Sequence, residues 1–539
     1  MEITTMKKII SSILVLYCGM FLLNSCNQDL LDVSQHGALN PDTYYANATD
    51  ADANQLIAAV YTTMYDLSGN NVTDGDDGVT RTANTNVNSQ NAASNGTFTS
   101  LYRVNYLCNL IIENLTPDTD VKKQVIGEAY FWRAYAYTDL IIGWGTPPLV
   151  DHVLGPDELE PANGNPSELW DYVESSLAQA ISMLPAKPGP GQQQAIGGRV
   201  TKGSATAVLG KAQLYKKDYP AAISTLKPLI NSGLCALEPV YLDLWHVAAD
   251  FSDEYMWEWN MDDADQGNFE NEGDTRAINL TWRAENVTVP GGLQASGFGG
   301  ADYGKDFYDF MIAHDGKNNR YKGTIWDYED ILDRFVELGL ATDRSEAIGQ
   351  FWGAAPIMQN CQGYFRIKMV PWGPDWDIPG WVSDLYTWNW ADEIHSKANW
   401  PGMRYSEVLL IFAEACLGAG TNTAEGLSAI NEVRSRAGIS TLGAYTLQDV
   451  KDERRAELVS EGVRFRDLIR WGDAATETAG LAEYQYRFEG YVEGTTDYLV
   501  TPTAVPEWSN FVVGRDELNP FPYSERLLNP NLMQNPNWE

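Results

Sequence analysis

The sequence predicts a mainly α protein: helical hairpins form a scaffold that a loop-rich, aromatic insert interrupts. Three observations predict it. Apolar residues recur at three- and four-residue intervals through residues 41–250 and again through 401–472, the period of one helix face. Between 251 and 400 this period weakens while Gly, Asp, Asn and Trp become frequent. Hydrophobic residues make up 44% of the chain, enough for a sizeable core.

The first element is not part of the fold. Lys7 and Lys8 precede an apolar run, Ile9 to Leu23, which is shorter than the ~20 residues a membrane-spanning helix requires. A basic start, a short apolar stretch and small residues before a cut site make a secretory signal. Leu23-Asn24-Ser25-Cys26 resembles the bacterial lipoprotein signal, in which the cysteine after the cut receives lipid. An ordinary signal peptide with an incidental cysteine is the alternative. Residues 1–25 are therefore expected to be removed, Cys26 to carry lipid, and 26–40 to be an extended spacer. Two or more acyl chains are needed for stable anchoring.

From residue 41 to 539 the chain reads as one domain. Tyr44, Ala48, Leu56, Ile57, Val60 and Met64 mark a first helix face. Leu67 to Gly96 is rich in Asn, Asp, Gly, Ser and Thr and is expected to be a long surface loop, a length that tends to be functional. Helices resume near Ser100. Val125–Ile142 ends at Gly143-Trp144-Gly145, and Ser167–Leu184 is expected to start on a Ser167 cap. Thr201–Lys216 and Pro220–Ile230 form a hairpin. Its Ala205, Leu209, Gly210, Ala212, Tyr215, Tyr219 and Ala222 fall as in a tetratricopeptide unit, whose small residues allow close packing. In the insert, short helices are expected at Asp302–Ile312 and Asp327–Leu340 and a strand at Tyr364–Val370. Helices return at Arg404–Leu417, Ala424–Ala437 and Asp449–Trp471. Residues 473–539 form a C-terminal segment, extended from Pro502.

Composition excludes some functions. A formal net charge of −36 argues against nucleic acid, which needs basic patches. The five histidines are isolated, and no zinc-binding HExxH, GxSxG elbow, phosphate loop or GxGxxG occurs. No cofactor or metal is expected: Asp74-Gly75-Asp76-Asp77-Gly78 resembles part of a calcium loop but lacks its twelfth-position Glu, and reads as a solvated turn. Cys108, Cys235, Cys361 and Cys416 are far apart and read as sparse free thiols, with disulfides as the alternative.

Several segments carry a resemblance in order along the chain. They include Arg133-Ala134-Tyr135 through Gly145-Thr146-Pro147-Pro148, and Arg199-Val200-Thr201-Lys202-Gly203. Arg404-Tyr405-Ser406-Glu407, Ala429 through Gly438, Glu453 through Trp471, and Asn529-Pro530-Asn531-Leu532 follow. Together they resemble the SusD/RagB family over nearly the whole chain. The resemblance implies a mainly α fold with tetratricopeptide-like hairpins. It also implies a lipoprotein on the outer face of a Bacteroidetes outer membrane, a lid over a SusC-like TonB-dependent transporter. Members capture glycans for import without cleaving them. Peptide capture of the RagB type is the alternative, and a surface glycoside hydrolase a more distant one. Within Glu453–Trp471, the charges at 461, 464, 467 and 470 stand at three-residue spacing and read as structural ion pairs.

The ligand contacts implied by the resemblance come from the early loop and the irregular insert, where aromatic faces stack on sugars and planar polar groups bind hydroxyls. Candidates are Asp76, Asp77, Arg81 and Phe98, then Trp282, Phe298, Tyr303 and Trp326. Trp372 and Trp376 open a run of six tryptophans that ends at Trp400.

Overall fold

The computed structural model describes residues 41–68, 94–261, 284–285, 303–337, 341–352, 357–359, 362–369, 398–479, 484–491, 498–504 and 511–538. Seven helices come first: α1 (Pro41–Ala46), α2 (Asp50–Ser68), α3 (Ser94–Asn114), α4 (Asp120–Trp144), α5 (Pro166–Met183), α6 (Lys202–Lys216) and α7 (Tyr219–Ile230). α8 (Lys305–His314), α9 (Asn319–Lys322), α10 (Tyr328–Glu337) and α11 (Arg344–Trp352) lie in the insert. α12 (Tyr405–Ala419), α13 (Thr423–Ala437), α14 (Leu447–Leu458), α15 (Arg464–Trp471), α16 (Ala474–Glu477) and α17 (Tyr523–Leu528) complete the set.

Local chemistry fixes the helix starts. Thr119 Oγ1 accepts from Lys122 N at 3.1 Å to open α4. Thr201 and Ser204 form a reciprocal capping box on α6, and Asp218 accepts from Ala221 N to open α7. Two expected starts are corrected. α3 begins at Ser94, six residues before Ser100. The cap of α5 is Asn165, not Ser167, because Pro166 sits at the first helical position, where its missing N–H leaves nothing unsatisfied.

Small residues bring the scaffold helices together. A Cβ at Gly210 of α6 would fall 2.3 Å from Leu226 Cδ2 of α7, and one at Gly418 of α12 would fall 2.5 Å from Tyr219 Cδ2. α12 therefore docks on the α6–α7 hairpin, and the core it joins includes Trp132, Tyr137, Leu409 and Ile411, all buried.

Strand β1 (Tyr255–Trp259) pairs antiparallel with β6 (Trp400–Arg404), so Trp259 faces Trp400 across the ladder. β3 (Ile325–Asp327) pairs with β5 (Tyr364–Arg366). β2 (Ala284–Glu285), β4 (Ile357–Gln359), β7 (Tyr484–Tyr491) and β8 (Tyr498–Ala504) form a four-stranded sheet in the order β2-β4-β7-β8. The insert has its own core of Tyr303, Phe307, Met311, Tyr321, Ile331 and Phe365, which reaches Ala456, Val459 and Phe488 outside it. The strand expected at Tyr364–Val370 is shorter, ending at Arg366.

A buried ionic seam joins this second core to the scaffold. Arg320, fully buried, pairs with Asp315 at 2.7 Å, Glu453 at 2.5 Å and Glu457 at 3.1 Å. Arg404 pairs with Glu254, Glu457 and Glu461, and Arg436 with Glu254 and Glu457. The Arg436 guanidinium lies over the Tyr241 ring, its Cζ 4.7 Å from the ring centroid. The ion pairs expected inside Glu453–Trp471 form differently. Asp467 pairs with Arg470 at 2.8 Å, but also with Arg454, and Glu461 reaches out to Lys368 and Arg404. The reason is local: α14 ends at Leu458, and Ser460 and Gly462 take left-handed backbone (φ 65° and 72°) before α15 begins.

The C-terminal segment is not simply extended. It contains the β7–β8 hairpin and α17, then closes on the end of α4. Asn519 N donates to Gly143 O at 2.7 Å, Trp144 Nε1 to Pro520 O at 3.0 Å, and Asn535 Nδ2 to Trp144 O at 3.0 Å. Cys108, Cys235 and Cys416 are free thiols. Cys361 lies outside the described residues.

Candidate functional site

Where scaffold, seam and insert meet, a cleft of about 110 Å³ opens between the ends of α2 and α4, strands β1 and β6, and the turn before α15. Its walls are Met64 and Leu67 of α2, Tyr135 and Asp139 of α4, Trp257 and Trp259, Trp400 to Met403, and Ser460 to Val463. Lys211, Glu407, Arg466 and Met369 complete it. At this size the cleft admits one ring-sized group, below the ~300 Å³ at which pockets engulf a whole small ligand.

The alternation Tyr255-Met256-Trp257-Glu258-Trp259 builds the aromatic wall, although all five residues are buried. Trp259 stacks on Trp132 with centroids 5.4 Å apart and planes 20° apart. Trp257 takes edge contacts from Phe131 at 5.5 Å and Tyr135 at 5.7 Å. Gly402 lies over the Trp257 indole, where an added Cβ would fall 1.9 Å from Nε1. Both indoles thus spend their faces on the protein. Trp400 is half-buried at the rim and keeps part of its surface accessible.

The charged groups of the cleft are paired. Asp139 meets Arg466 at 2.6 Å, and Glu407 meets Lys211 at 2.9 Å. Burial disfavours the Lys211 ammonium, but Glu407 outweighs it and raises its pKa. Burial likewise opposes the Glu461 carboxylate, yet Arg404 and Lys368 hold it below the usual range. Behind this wall, burial pushes the Lys368 ammonium down to about 7 despite Glu461. Met369 and Ser460 both hold positive φ (63° and 65°) at the cleft, conformations that non-glycine residues adopt at some energetic cost.

Three of the sequence candidates are corrected by their burial. Phe98 lies in the scaffold core, 4.9 Å from the Tyr102 ring and 5.1 Å from Trp144. Tyr303 is buried against Phe307, its hydroxyl 3.0 Å from Ser460 Oγ, so it backs the cleft floor from within. Trp326 is buried in the second core with Nε1 donating to Lys322 O at 2.8 Å. None of the three offers a stacking face. Asp76, Asp77, Arg81, Trp282, Phe298, Trp372, Trp376 and Cys26 lie outside the described residues. Two of those stretches adjoin cleft residues in sequence: Leu67 stands just before 69–93, and Met369 and Trp400 stand on either side of 370–397. Trp257 and Trp259, absent from the expected candidates, stand on alternate residues of a strand-like run, which is the signal the sequence carries for them.

Comparison with known proteins places this arrangement. A family profile described as "SusD family" matches residues 254–538, and one described as "Starch-binding associating with outer membrane" matches 29–214. A SusD-like protein of Bacteroides ovatus is 25% identical over 82% of this chain and 80% of its own length. SusD-like protein P25 of Formosa agariphila is 22% identical, covering 87% and 91%. Among solved structures, a laminarin-binding SusD-like protein superposes with a TM-score of 0.66 at 22% identity, covering 90% of this chain and 99% of that one. Surface glycan-binding protein A from Bacteroides uniformis gives 0.63 at 21% identity, covering 90% and 99%. With more than half its length inside the family profile, and its fold shared over 90% of the chain, the chain belongs to the SusD family.

Proposed function

We propose that this chain is a lipid-anchored surface protein that captures glycans and passes them, uncleaved, to a SusC-like TonB-dependent transporter in the outer membrane. The observation that carries the binding half is the aromatic cleft with half-buried Trp400 at its rim. An indole edge or face beside paired polar groups suits a sugar's C–H surface and hydroxyls. The names of its structural neighbours, laminarin-binding, glycan-binding and carbohydrate-binding, support the ligand class. The cleft's small volume supports recognition of one ring of a longer chain, with the remainder lying along the surface.

Binding without cleavage is supported by the cleft's carboxylates. Asp139, Glu407 and Glu461 each have a cationic partner. A glycosidase acid instead requires a carboxyl whose pKa is raised so that it holds a proton. Lipid on Cys26 supplies the anchor, and the 26–40 spacer restricts the domain to the volume near its transporter, raising effective concentration.

Affinity electrophoresis of the purified protein against a polysaccharide panel tests the reading. Retardation by at least one glycan, with no reducing sugar released, is the expected result. Retardation by none, with binding to a peptide library, would replace glycan with peptide cargo. Sugar release abolished by a single carboxylate substitution would make the protein a hydrolase.

A further inference from the structure

Charge balance in the cleft is complete, but its hydrogen bonding is not. Lys211 of α6 and Glu407, in the first turn of α12, both stand on the cleft wall. Lys211 Nζ lies 2.9 Å from Glu407 Oε1, yet in a direction that makes no hydrogen bond, and that oxygen is buried without a hydrogen-bond partner. The residue as a whole is 5% exposed. Arg454 Nη2 of α14 stands 3.8 Å from the same oxygen, too far to donate to it. Arg454 gives Nε and Nη2 to Asp467, at 2.7 Å and 3.2 Å, and keeps Nη1 buried without a partner. Tyr215, one turn after Lys211 on α6, likewise buries a hydroxyl that has none. Burial raises the pKa of that phenol, and Lys211 and Arg454 are among the charges that oppose the rise. Buried polar atoms without partners are uncommon and costly, and here one of them belongs to a residue of the cleft wall.

The chemistry at this wall selects the group that can complete it. An anionic sugar would find no unopposed cation, since Lys211 already faces Glu407 and Arg466 faces Asp139. It would also set its charge against the Glu407 carboxylate. A cationic sugar would be set against Lys211 and Arg454. A neutral group that both donates and accepts fits, and a hydroxyl does both. Two adjacent hydroxyls on one ring offer a donor to the carboxylate oxygen and an acceptor to the spare hydrogens of the ammonium. The pair stands in the same one-ring cleft as Trp400, whose accessible surface can cover the ring's C–H groups.

We infer that Lys211 and Glu407 are the specificity-determining pair of the cleft and hold two adjacent free hydroxyls of a neutral sugar ring. Glu407 Oε1 accepts from one hydroxyl, and Lys211 Nζ donates to the oxygen of its neighbour. The inference rests on the glycan reading above and narrows it. The cargo presents a chain end or a single-ring branch with an unsubstituted diol.

The test uses the full-length protein and isothermal titration with the polysaccharide that retards it most. That polysaccharide is used as isolated and after mild periodate oxidation, which cleaves adjacent diols. Oxidation is expected to lower the parent's affinity at least about tenfold, because a site built to hydrogen-bond hydroxyls rejects a ligand that lacks them. Lys211→Met with Glu407→Gln removes both charges together, so that neither is left buried alone. This folded variant should lose about tenfold for the native polysaccharide and lose nothing further on oxidation. Glu407→Asp keeps the charge but draws the oxygen back by one methylene, and should also weaken binding while the circular dichroism stays that of the parent. Within the panel, neutral polysaccharides should retard the protein and sulfated or uronic ones should not. Parent-like affinity in both variants, with Trp400→Ala still weakening binding, overturns the inference and leaves glycan capture intact. Indifference of the parent to oxidation, or retardation by anionic polysaccharides alone, overturns it as well. Retardation by no polysaccharide at all is instead the failure of the glycan reading itself.

Discussion

The core of the helical scaffold and the seam beneath the insert are both buried, but they are held by different forces. The α6–α7 hairpin and α12 pack apolar surface at glycine contacts, so their stability comes from burial and close fit. The seam places Arg320, Arg404 and Arg436 among Asp315, Glu254, Glu453 and Glu457 with no solvent access. Such a network is stable only while every member has its partner, because a remaining charge stays buried without compensation. The scaffold should therefore tolerate changes of pH and fail by steric insult, whereas the seam should do the reverse.

The largest effect expected is at the centre of the seam. Arg320→Ala leaves three carboxylates facing an empty site and should cost about 3–5 kcal/mol in chemical denaturation. A loss below 1 kcal/mol would mean that the network is solvated and the contrast false.

Acid separates the two regions next. Asp315 is buried, which alone would raise its pKa, but Arg320 outweighs burial and holds it at about 2. Its folded value lies below the unfolded one, so its contribution is present above pH 4 and is lost as pH falls toward 2. Burial opposes the Glu457 carboxylate in the same way, but Arg436, Arg404 and Arg320 together hold its pKa below the usual range. Tryptophan fluorescence should therefore report loosening around Trp245, beside the seam, before far-ultraviolet dichroism reports loss of helix. Coincident acid transitions would contradict this.

Glu258 has the opposite sign. Burial raises its carboxyl to about 7, above an unfolded value near 4.5, so the fold binds the extra proton and loses stability as pH rises from 4.5 to 7. Glu258→Gln keeps an acceptor for Phe251 N and Asn399 Nδ2 while removing the titration. The variant should match the parent at pH 4.5 and exceed it by on the order of 3 kcal/mol at pH 8. Equal pH profiles would refute the assignment.

A smaller loss tests the scaffold's side of the contrast. Gly210→Ala drives a methyl into Leu226 and should cost about 1–3 kcal/mol, independent of pH between 5 and 8. A pH-dependent loss would show that ionic groups also hold the hairpin.

The same contrast explains what the sequence made legible. The hairpin at Thr201–Ile230 appears within one residue at each boundary, because period, cap and glycine all act locally. The break between α14 and α15, inside the single helix expected at Asp449–Trp471, falls where Gly462 permits left-handed backbone. Seam partners were not legible: Arg320 and Glu453 are 133 residues apart, and helix spacing suggested pairs within one segment. Phe98, Tyr303 and Trp326 prove to be core residues for a related reason. Aromatic identity marks a group that needs burial or a ligand, and the tertiary fold decides which. For Phe98 a local sign existed, since Phe98, Leu101, Val104, Cys108 and Ile111 share one buried face of α3. For Tyr303 and Trp326 the deciding neighbours, Ser460 and the second core, come from distant or irregular chain.

The central claim is that the cleft at the seam's edge binds a glycan through Trp400. Isothermal titration of the parent and of Trp400→Ala with the glycan that retards the parent most tests it directly. Affinity is expected to fall about five- to thirtyfold, by loss of a stacking contact worth on the order of 1–2 kcal/mol, in a variant that keeps the parent's far-ultraviolet circular dichroism. Parent-like affinity in a folded Trp400→Ala protein would place the cargo elsewhere and contradict the account.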